Sequence, residues 1–265
     1  MQTSLRGIAE KAALHKTYRF RNLFGLLNVG FLLWCWNFLN KKSASGIDRV
    51  TALQYSTDLK GNVTRLVERV KGLAYRAKLV LRRFIPKPDG KLRPLGIPAT
   101  EDKLLQTGVS KILEAIYEQD FLPSSFGYRP GVGALDAVRD LSNHLQFRGY
   151  NFLVEADIKS FFDKIEHQKL LDMLSKRIDD KPFLGLIQKW LKAGILEENM
   201  VIHPITGTPQ GGTASPILAN IYLHYALDTW FEKVVKVHCH GVSYICRYAD
   251  DCVPRRHKEA QSALM

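Results

Sequence analysis

Three carboxylates stand where this sequence could do chemistry. Asp157 closes a short apolar run, residues 152–156 (FLVEA), and Asp250 and Asp251 close another, residues 243–249 (SYICRYA), where a hairpin would turn. Neighbouring strands lie about 4.8 Å apart, so pairing the two runs would gather the acids at one sheet end. Like charges that close are costly unless a cation neutralises them. Hard carboxylate oxygens suit Mg²⁺, which takes one or two carboxylates together with substrate phosphates. Two such ions, about 3.5–4 Å apart, can activate an attacking oxygen and stabilise a leaving one. Taken alone, an Asp-Asp pair is more often a pair of turn acids, and the surroundings must decide.

Those surroundings are basic and loop-rich. Lys87 and Arg93 flank Pro88-Asp89-Gly90, offering a compact ammonium and a forked guanidinium suited to a triphosphate. Residues 207–212 (GTPQGG) would let backbone approach a nucleotide closely, with Gln210 able to hydrogen-bond it. No Lys-Ser/Thr follows, so this is not a Walker loop.

The elements that must position these residues are mixed. Residues 1–45 read as helical and basic, ending in a loop at 43–46, and a second helix is expected over 53–72. Residues 80–98 (VLRRFIPKPDGKLRPLGIP) read as two extended runs around the Pro-Asp-Gly turn. Thr100 is placed as the N-cap of a helix carrying Leu104, Leu105, Val109, Ile112, Leu113 and Ile116 at helical spacing. A turn-rich link at 121–133 precedes helices over 134–147, 167–177 and 182–192. Ser215-Pro216 reads as an N-cap with proline at the first helical position, opening a helix over 217–235. The irregular mixture predicts an α+β architecture rather than a regular βαβ sheet.

Composition narrows the class. With 265 residues, 46% of them hydrophobic, the chain can bury a full core, which excludes disorder as its main state. A net charge of +12 favours a polyanionic partner, because each phosphate met by Lys or Arg releases condensed counterions, although a membrane surface would attract the same charge and composition alone does not choose. Residues 23–39 (LFGLLNVGFLLWCWNFL) are uncharged and reach the lower edge of a membrane span. Interrupted by Asn and Gly, they read instead as a helix packed on the body of the protein or on a missing partner, and no membrane is expected. Four cysteines and the lack of an apolar core in residues 1–22 point to a reducing, cytoplasmic setting. His238-Cys239-His240 with Cys246 lacks zinc-finger spacing and reads as a loop. Trp34, Trp36, Trp190 and Trp230 read as core or interface aromatics.

Taken in order, IAEKA (8–12), SASGIDRVT (43–51), IPKPDGKLRPLGIP (85–98), SSFGYRPG (124–131), ADIKSFFDKIEH (156–167), GTPQGGTASPILANIYLHYALDTWFEKVV (207–235) and RYADD (247–251) resemble the group II intron-encoded reverse transcriptases, or maturases. The resemblance implies a right-hand polymerase with fingers and an RRM-like palm. It assigns 1–45 to a basic RNA-binding extension, 46–120 to fingers with the Pro-rich hairpin, and 121–265 to a partial palm. It implies two Mg²⁺ ions held by Asp157, Asp250, Asp251 and the carbonyl of Ile158. It casts Lys87 and Arg93 as holders of the incoming triphosphate and Phe162 as the aromatic gate against a ribose 2′-hydroxyl. Gln210 and Gly211 fall along the nucleotide and template.

The implied function is RNA-directed DNA polymerisation linked to intron splicing and mobility, with intron RNA, an RNA template, a DNA primer and dNTPs as partners, in a cytoplasmic ribonucleoprotein. From Met1 to Arg49 there are eight Lys/Arg and two Asp/Glu, which suits RNA phosphates. Three features depart from the family pattern. After RYADD the expected apolar strand is replaced by Cys252-Val253-Pro254-Arg255-Arg256-His257, which predicts a weakened hairpin. The family's thumb and maturase parts have no counterpart in these residues, and whether a second copy or a separate polypeptide supplies them is left open by the sequence. Residues 23–39 lack the charges usual in the family's N-terminal helix. The competing expectation is therefore an inactive, truncated fragment that only binds intron RNA.

Overall fold

The computed structural model describes residues 2–86, 90–147, 152–198, 200–208, 211–239 and 243–256. In chain order the elements are α1 (Gln2–Leu14), α2 (Leu23–Leu26), α3 (Val29–Cys35), a 3₁₀ turn (Trp36–Phe38), α4 (Ala52–Ser56), α5 (Leu59–Lys71), β1 (Val80–Pro86), β2 (Leu92–Ile97) and α6 (Thr100–Tyr117). Then come α7 (Ala134–Phe147), β3 (Phe152–Leu153), β4 (Ala156–Asp157), α8 (Phe161–Lys164), α9 (His167–Ser175), α10 (Lys181–Leu191), β5 (Ile195–Glu197) and β6 (Met200–Ile202). A long helix follows as α11 (Ser215–Leu223), two π-helical stretches (His224–Asp228 and Phe231–Val235) and α12 (Lys236–His238), before β7 (Tyr244–Tyr248) and β8 (Asp251–Arg256). The α+β expectation holds in its coarse form: helices and strands are mixed. The chain forms two compact units, one from residues 1–119 and 162–216, the other from 120–161 and 217–265.

The first unit is organised on α6, which is buried on all sides over its first three turns. Its polar residues survive burial because each finds a partner. Arg69 grips Glu101 with two bonds, Tyr75 donates to Asp102 at 2.5 Å, and Lys103 donates to the Ala44 carbonyl at 2.5 Å. Thr100 is not the N-cap. Ala99 occupies that position without a side-chain bond, and the Thr100 hydroxyl donates instead to the Val50 carbonyl at 2.6 Å.

Residues 23–39 do pack on the body, but as three short pieces rather than one helix. Asn28 breaks the run because its side chain caps α3, accepting from Phe31 N at 3.0 Å. Leu27, Leu32 and Cys35 are wholly buried, and α3 lies on α5 and α6. Gly108 permits that approach: a Cβ there would stand 2.8 Å from a methyl of Leu32. No helix among the described residues is long and apolar enough to cross a membrane. The helix expected over 53–72 is likewise split, since Asp58 caps α5 by accepting from Gly61 N.

The unit's sheet has the order β2-β1-β5-β6. Its β1–β2 hairpin is the one expected from the Pro-Asp-Gly signature, in register from Leu81↔Ile97 to Pro86↔Leu92. The turn residues Lys87, Pro88 and Asp89 lie outside the described residues.

In the second unit β8 is central, pairing with β7 on one side and with β4 and β3 on the other. Side chains alternate across the sheet. Cys246 packs with Phe126 and Ala137 of α7, whereas Ile245 and Cys252 pack on Phe231 of the long helix. The expected weakening at Pro254 is corrected in detail: the β7–β8 ladder runs through it, with Ile245 opposite Pro254. Proline brings no N–H, and the opposite ladder is interrupted at Val154 and Glu155, between β3 and β4. The apolar run ending at Asp157 is not buried: Leu153 is 51% and Val154 44% exposed. The long helix starts at Ser215 itself, so that residue is inside the helix rather than capping it.

Candidate active site

The hairpin β7–β8 turns through two residues, Ala249 and Asp250, between the paired Tyr248 and Asp251. Ala249 has φ 58°. A positive φ at the first turn position matches the twist of the flanking strands, although a Cβ there carries strain of about 1 kcal/mol. The turn is held from outside by the segment containing Gly127. That residue has no room for a side chain, as a Cβ would fall 2.1 Å from Ala249 N. Ser124 and Phe126 bracket Arg247 through backbone bonds of 2.9 Å on each side.

Beneath the turn lies Arg247, wholly buried. Its guanidinium donates to both carboxylate oxygens of Asp228 at 2.7 Å, to Ser125 Oγ at 2.6 Å, and to Asn220 Oδ1 and the Ala249 carbonyl at 2.9 Å. Asn220 in turn donates to the Gly127 carbonyl at 2.6 Å. One charged group thus ties the helix, the Ser124–Phe126 segment and the turn. Asp228 sits at the end of the first π-helical stretch, a local widening that commonly marks functional positions.

The carboxylates expected to act together are brought together. Asp157 at the end of β4 stands directly opposite Asp251 at the start of β8, where paired Cα atoms lie about 4.5–5.5 Å apart. Asp250 is the adjacent turn residue. Partial burial, then the charges of Asp250, Asp157 and Glu155, raise the Asp251 carboxyl above its ordinary range. Glu155 is a fourth acid that motif reading passed over.

Among the described residues no three His, Cys, Asp or Glu side chains close around a single point as a metal cage. The donor chemistry nonetheless suits a hard divalent cation: carboxylates of one sign, exposed or half-exposed, leave room for phosphate oxygens and water to complete a shell. The Ile158 carbonyl accepts from Phe161 N at 3.2 Å, using one of its two lone pairs.

Other expected site residues belong to the first unit. Arg93 lies on β2 opposite Ile85 and is exposed. Gly211 has φ 107° and seats its loop on the same strand, where a Cβ would meet the Gly96 carbonyl at 2.5 Å. Buried Gln106 holds that loop by accepting from Thr213 N at 2.9 Å. Phe162 is half-buried, and its carbonyl accepts from Thr208 N at 2.8 Å, binding it to the GTPQGG loop. His167 hydrogen-bonds the Gly207 carbonyl at 2.7 Å. Lys87 and Gln210 lie outside the described residues. Gln106, His167, Asn220, Asp228 and Ser125 were not singled out from sequence, because their partners are far away along the chain.

Residues 85–261 match the family model described as reverse transcriptase (RNA-dependent DNA polymerase). The group II intron-encoded protein LtrA of Lactococcus lactis is 40% identical over 191 residues, covering 71% of this chain and 31% of that protein. An uncharacterized 91 kDa protein in a cob intron of Schizosaccharomyces pombe is 39% identical over 219 residues, covering 81% of this chain and 26% of its own length. The chain thus spans between a quarter and a third of these relatives. Among solved structures, a partial Cas6-RT-Cas1–Cas2 complex contains a chain alike in fold, with TM-score 0.52 and 22% identity over 89% of this chain and 38% of that one. With the motifs in order over two-thirds of its length, the chain belongs to the reverse transcriptase (RNA-dependent DNA polymerase) family, among homologues that are group II intron-encoded proteins.

Proposed function

We propose that this chain carries the nucleotidyl-transfer centre of a group II intron reverse transcriptase, adding dNTPs to a primer 3′-hydroxyl on an RNA template. The observation that carries the reading is the register Asp157↔Asp251 beside the turn residue Asp250, a set of acids gathered on one strand end. In this reading the second unit supplies the palm, within residues 121–265. Residues 46–120 form fingers and residues 1–45 a basic RNA-binding extension.

Asp157, Asp250, Asp251 and the Ile158 carbonyl are the ligands for two Mg²⁺ ions, which when bound would acidify the primer hydroxyl and neutralise charge on the reacting phosphate. The protein's own part is placement. Arg247 and Asp228 hold the turn that carries Asp250 next to Asp251. Lys87 and Arg93 bind the triphosphate, whose negative charge their forked and point charges match. Phe162, its backbone fixed by Thr208, serves as the gate against a ribose 2′-hydroxyl. Gln210 and Gly211 lie along the nucleotide, where the absence of a Cβ at Gly211 allows close approach.

Primer extension on an RNA template with dNTPs and Mg²⁺ tests this, with D157N and D250N beside the unaltered chain. Extension abolished in both variants is expected. Extension that survives in either variant would sink the assignment of the acids, and RNA binding without extension by any of the three proteins would leave an RNA-binding role alone.

A further inference from the structure

Between α5 and β1 the chain crosses the end of α10, and an open groove of about 620 Å³ lies there, within the first unit. Its floor is rigid. Tyr75 is buried, donates to Asp102 at 2.5 Å and accepts from Trp190 Nε1 at 2.8 Å, while Lys189 Nζ donates to the Tyr75 carbonyl at 2.8 Å. Gly194 keeps the floor low, since a Cβ there would meet Leu79 at 2.7 Å and His203 at 3.1 Å.

The walls carry Arg76, Lys189, Lys192 and His203, and no acid lines the groove. Arg76, Lys192 and His203 are exposed, and among the described residues neither Arg76 nor Lys192 has an ion-pair partner. Elsewhere in this unit Arg69, Lys78 and Arg82 are each matched to a carboxylate. Exposed cations left unmatched around a preformed groove are set for an anion that comes from outside.

This groove is not the triphosphate position. It opens at the Val80 end of β1, whereas Arg93 pairs with Ile85 toward the other end, about 17 Å away at the rise of a strand. The volume suits one or two nucleotides, and Leu73 at its edge is 66% exposed, an apolar surface for a base or sugar.

We propose that this groove binds the backbone of a single-stranded RNA, with Arg76 and Lys192 on adjacent phosphates and Lys189 and His203 supporting them. The choice of RNA rests on the proposed RNA-templated reaction; the anionic character of the ligand rests on the groove itself.

The test is fluorescence anisotropy of the full chain with a labelled single-stranded RNA oligomer across a salt series. R76E/K192E should lose about ten-fold or more in affinity, and the salt slope should become shallower by about 1.4, since each phosphate contact contributes about 0.7. The neutral pair R76Q/K192Q should lose less in affinity but show the same loss of slope. K60E, with the charge change of one reversal on α5, should alter affinity less than about two-fold. RNA should also shield Lys189 and Lys192, but not Lys60, from acetylation.

Unchanged affinity and slope in both double variants, or no RNA binding by the unaltered chain, overturns the proposal. D250N keeps the groove intact, so lost extension with retained RNA binding there speaks to the polymerase reading and not to this one.

Discussion

Arg247 and Asp228 form a two-bond ion pair, each bond 2.7 Å, with both side chains essentially closed to solvent. The same guanidinium holds the Ala249 carbonyl at 2.9 Å. The charge pair is therefore a mount for the turn that presents Asp250. Removing one partner of a buried pair strands the other, which typically costs 3–5 kcal/mol. Asp228→Ala should destabilise the protein by about 4 kcal/mol in urea unfolding. Arg247→Lys keeps the charge but loses the fork, and should lower primer extension more than it lowers stability. Equal stability of Asp228→Ala and the unaltered protein would show that the pair is not a mount.

The turn itself is strained at one place and crowded at another. Ala249→Gly relieves the positive φ, and the gain is partly offset by the entropy of glycine, so melting should rise by the equivalent of about 0.5 kcal/mol. Gly127→Ala works in the opposite direction, because its Cβ would lie 2.1 Å from Ala249 N. It should displace the acids and suppress extension. A Gly127→Ala protein with full activity would mean that the turn need not sit where it does.

Asp102 should make folding pH-dependent. Burial raises its carboxyl to about 6 from an ordinary 3.8, against the lowering effect of its bonds from Tyr75 and Lys78 N. The folded state then holds the proton more tightly than the unfolded state. Stability should fall as pH rises from about 4 to about 6, by on the order of 3 kcal/mol, and level off above. Asp102→Asn should flatten that part of the curve. Denaturant titrations at stepped pH read this directly, and an unchanged slope in Asp102→Asn would assign the dependence to another group.

Asp251 offers a readout of cation binding separate from catalysis. Its carboxyl is raised by partial burial and by Asp250, Asp157 and Glu155, so stability is lost as pH rises through that raised range. A divalent cation at the acids would remove the loss. Adding Mg²⁺ should raise the melting temperature at neutral pH, less so as pH falls into the range where Asp251 takes up its proton. Asp157→Asn should shrink the shift. A shift of equal size in Asp157→Asn would place the cation elsewhere.

Much of this protein was legible along the chain wherever the cause is local. The β1–β2 hairpin follows from Pro88-Asp89-Gly90 between extended runs, and α6 from the spacing of its apolar residues. The hairpin turning at Asp250 follows from a short apolar run ending in two acids. Local reading erred where distant partners overrode it. Residues 23–39 look like one apolar helix, but Asn28 finds a capping role and breaks it. Thr100 looks like an N-cap, yet its hydroxyl bonds the Val50 carbonyl, and Glu101, Asp102 and Lys103 beside it are buried because Arg69, Tyr75 and the Ala44 carbonyl meet them.

The site divides along the same line. The sequence by itself determined the types of its acids and the hairpin that carries two of them. Only the tertiary structure decided that Asp157 faces Asp251 and that Glu155 joins them. It likewise decided that Arg247 is buried on Asp228, Asn220 and Ser125. Strand register and a buried ion pair depend on which remote segments share a low-dielectric interior. That choice belongs to the whole packed chain, because a charge is left inside only where every one of its bonds is answered.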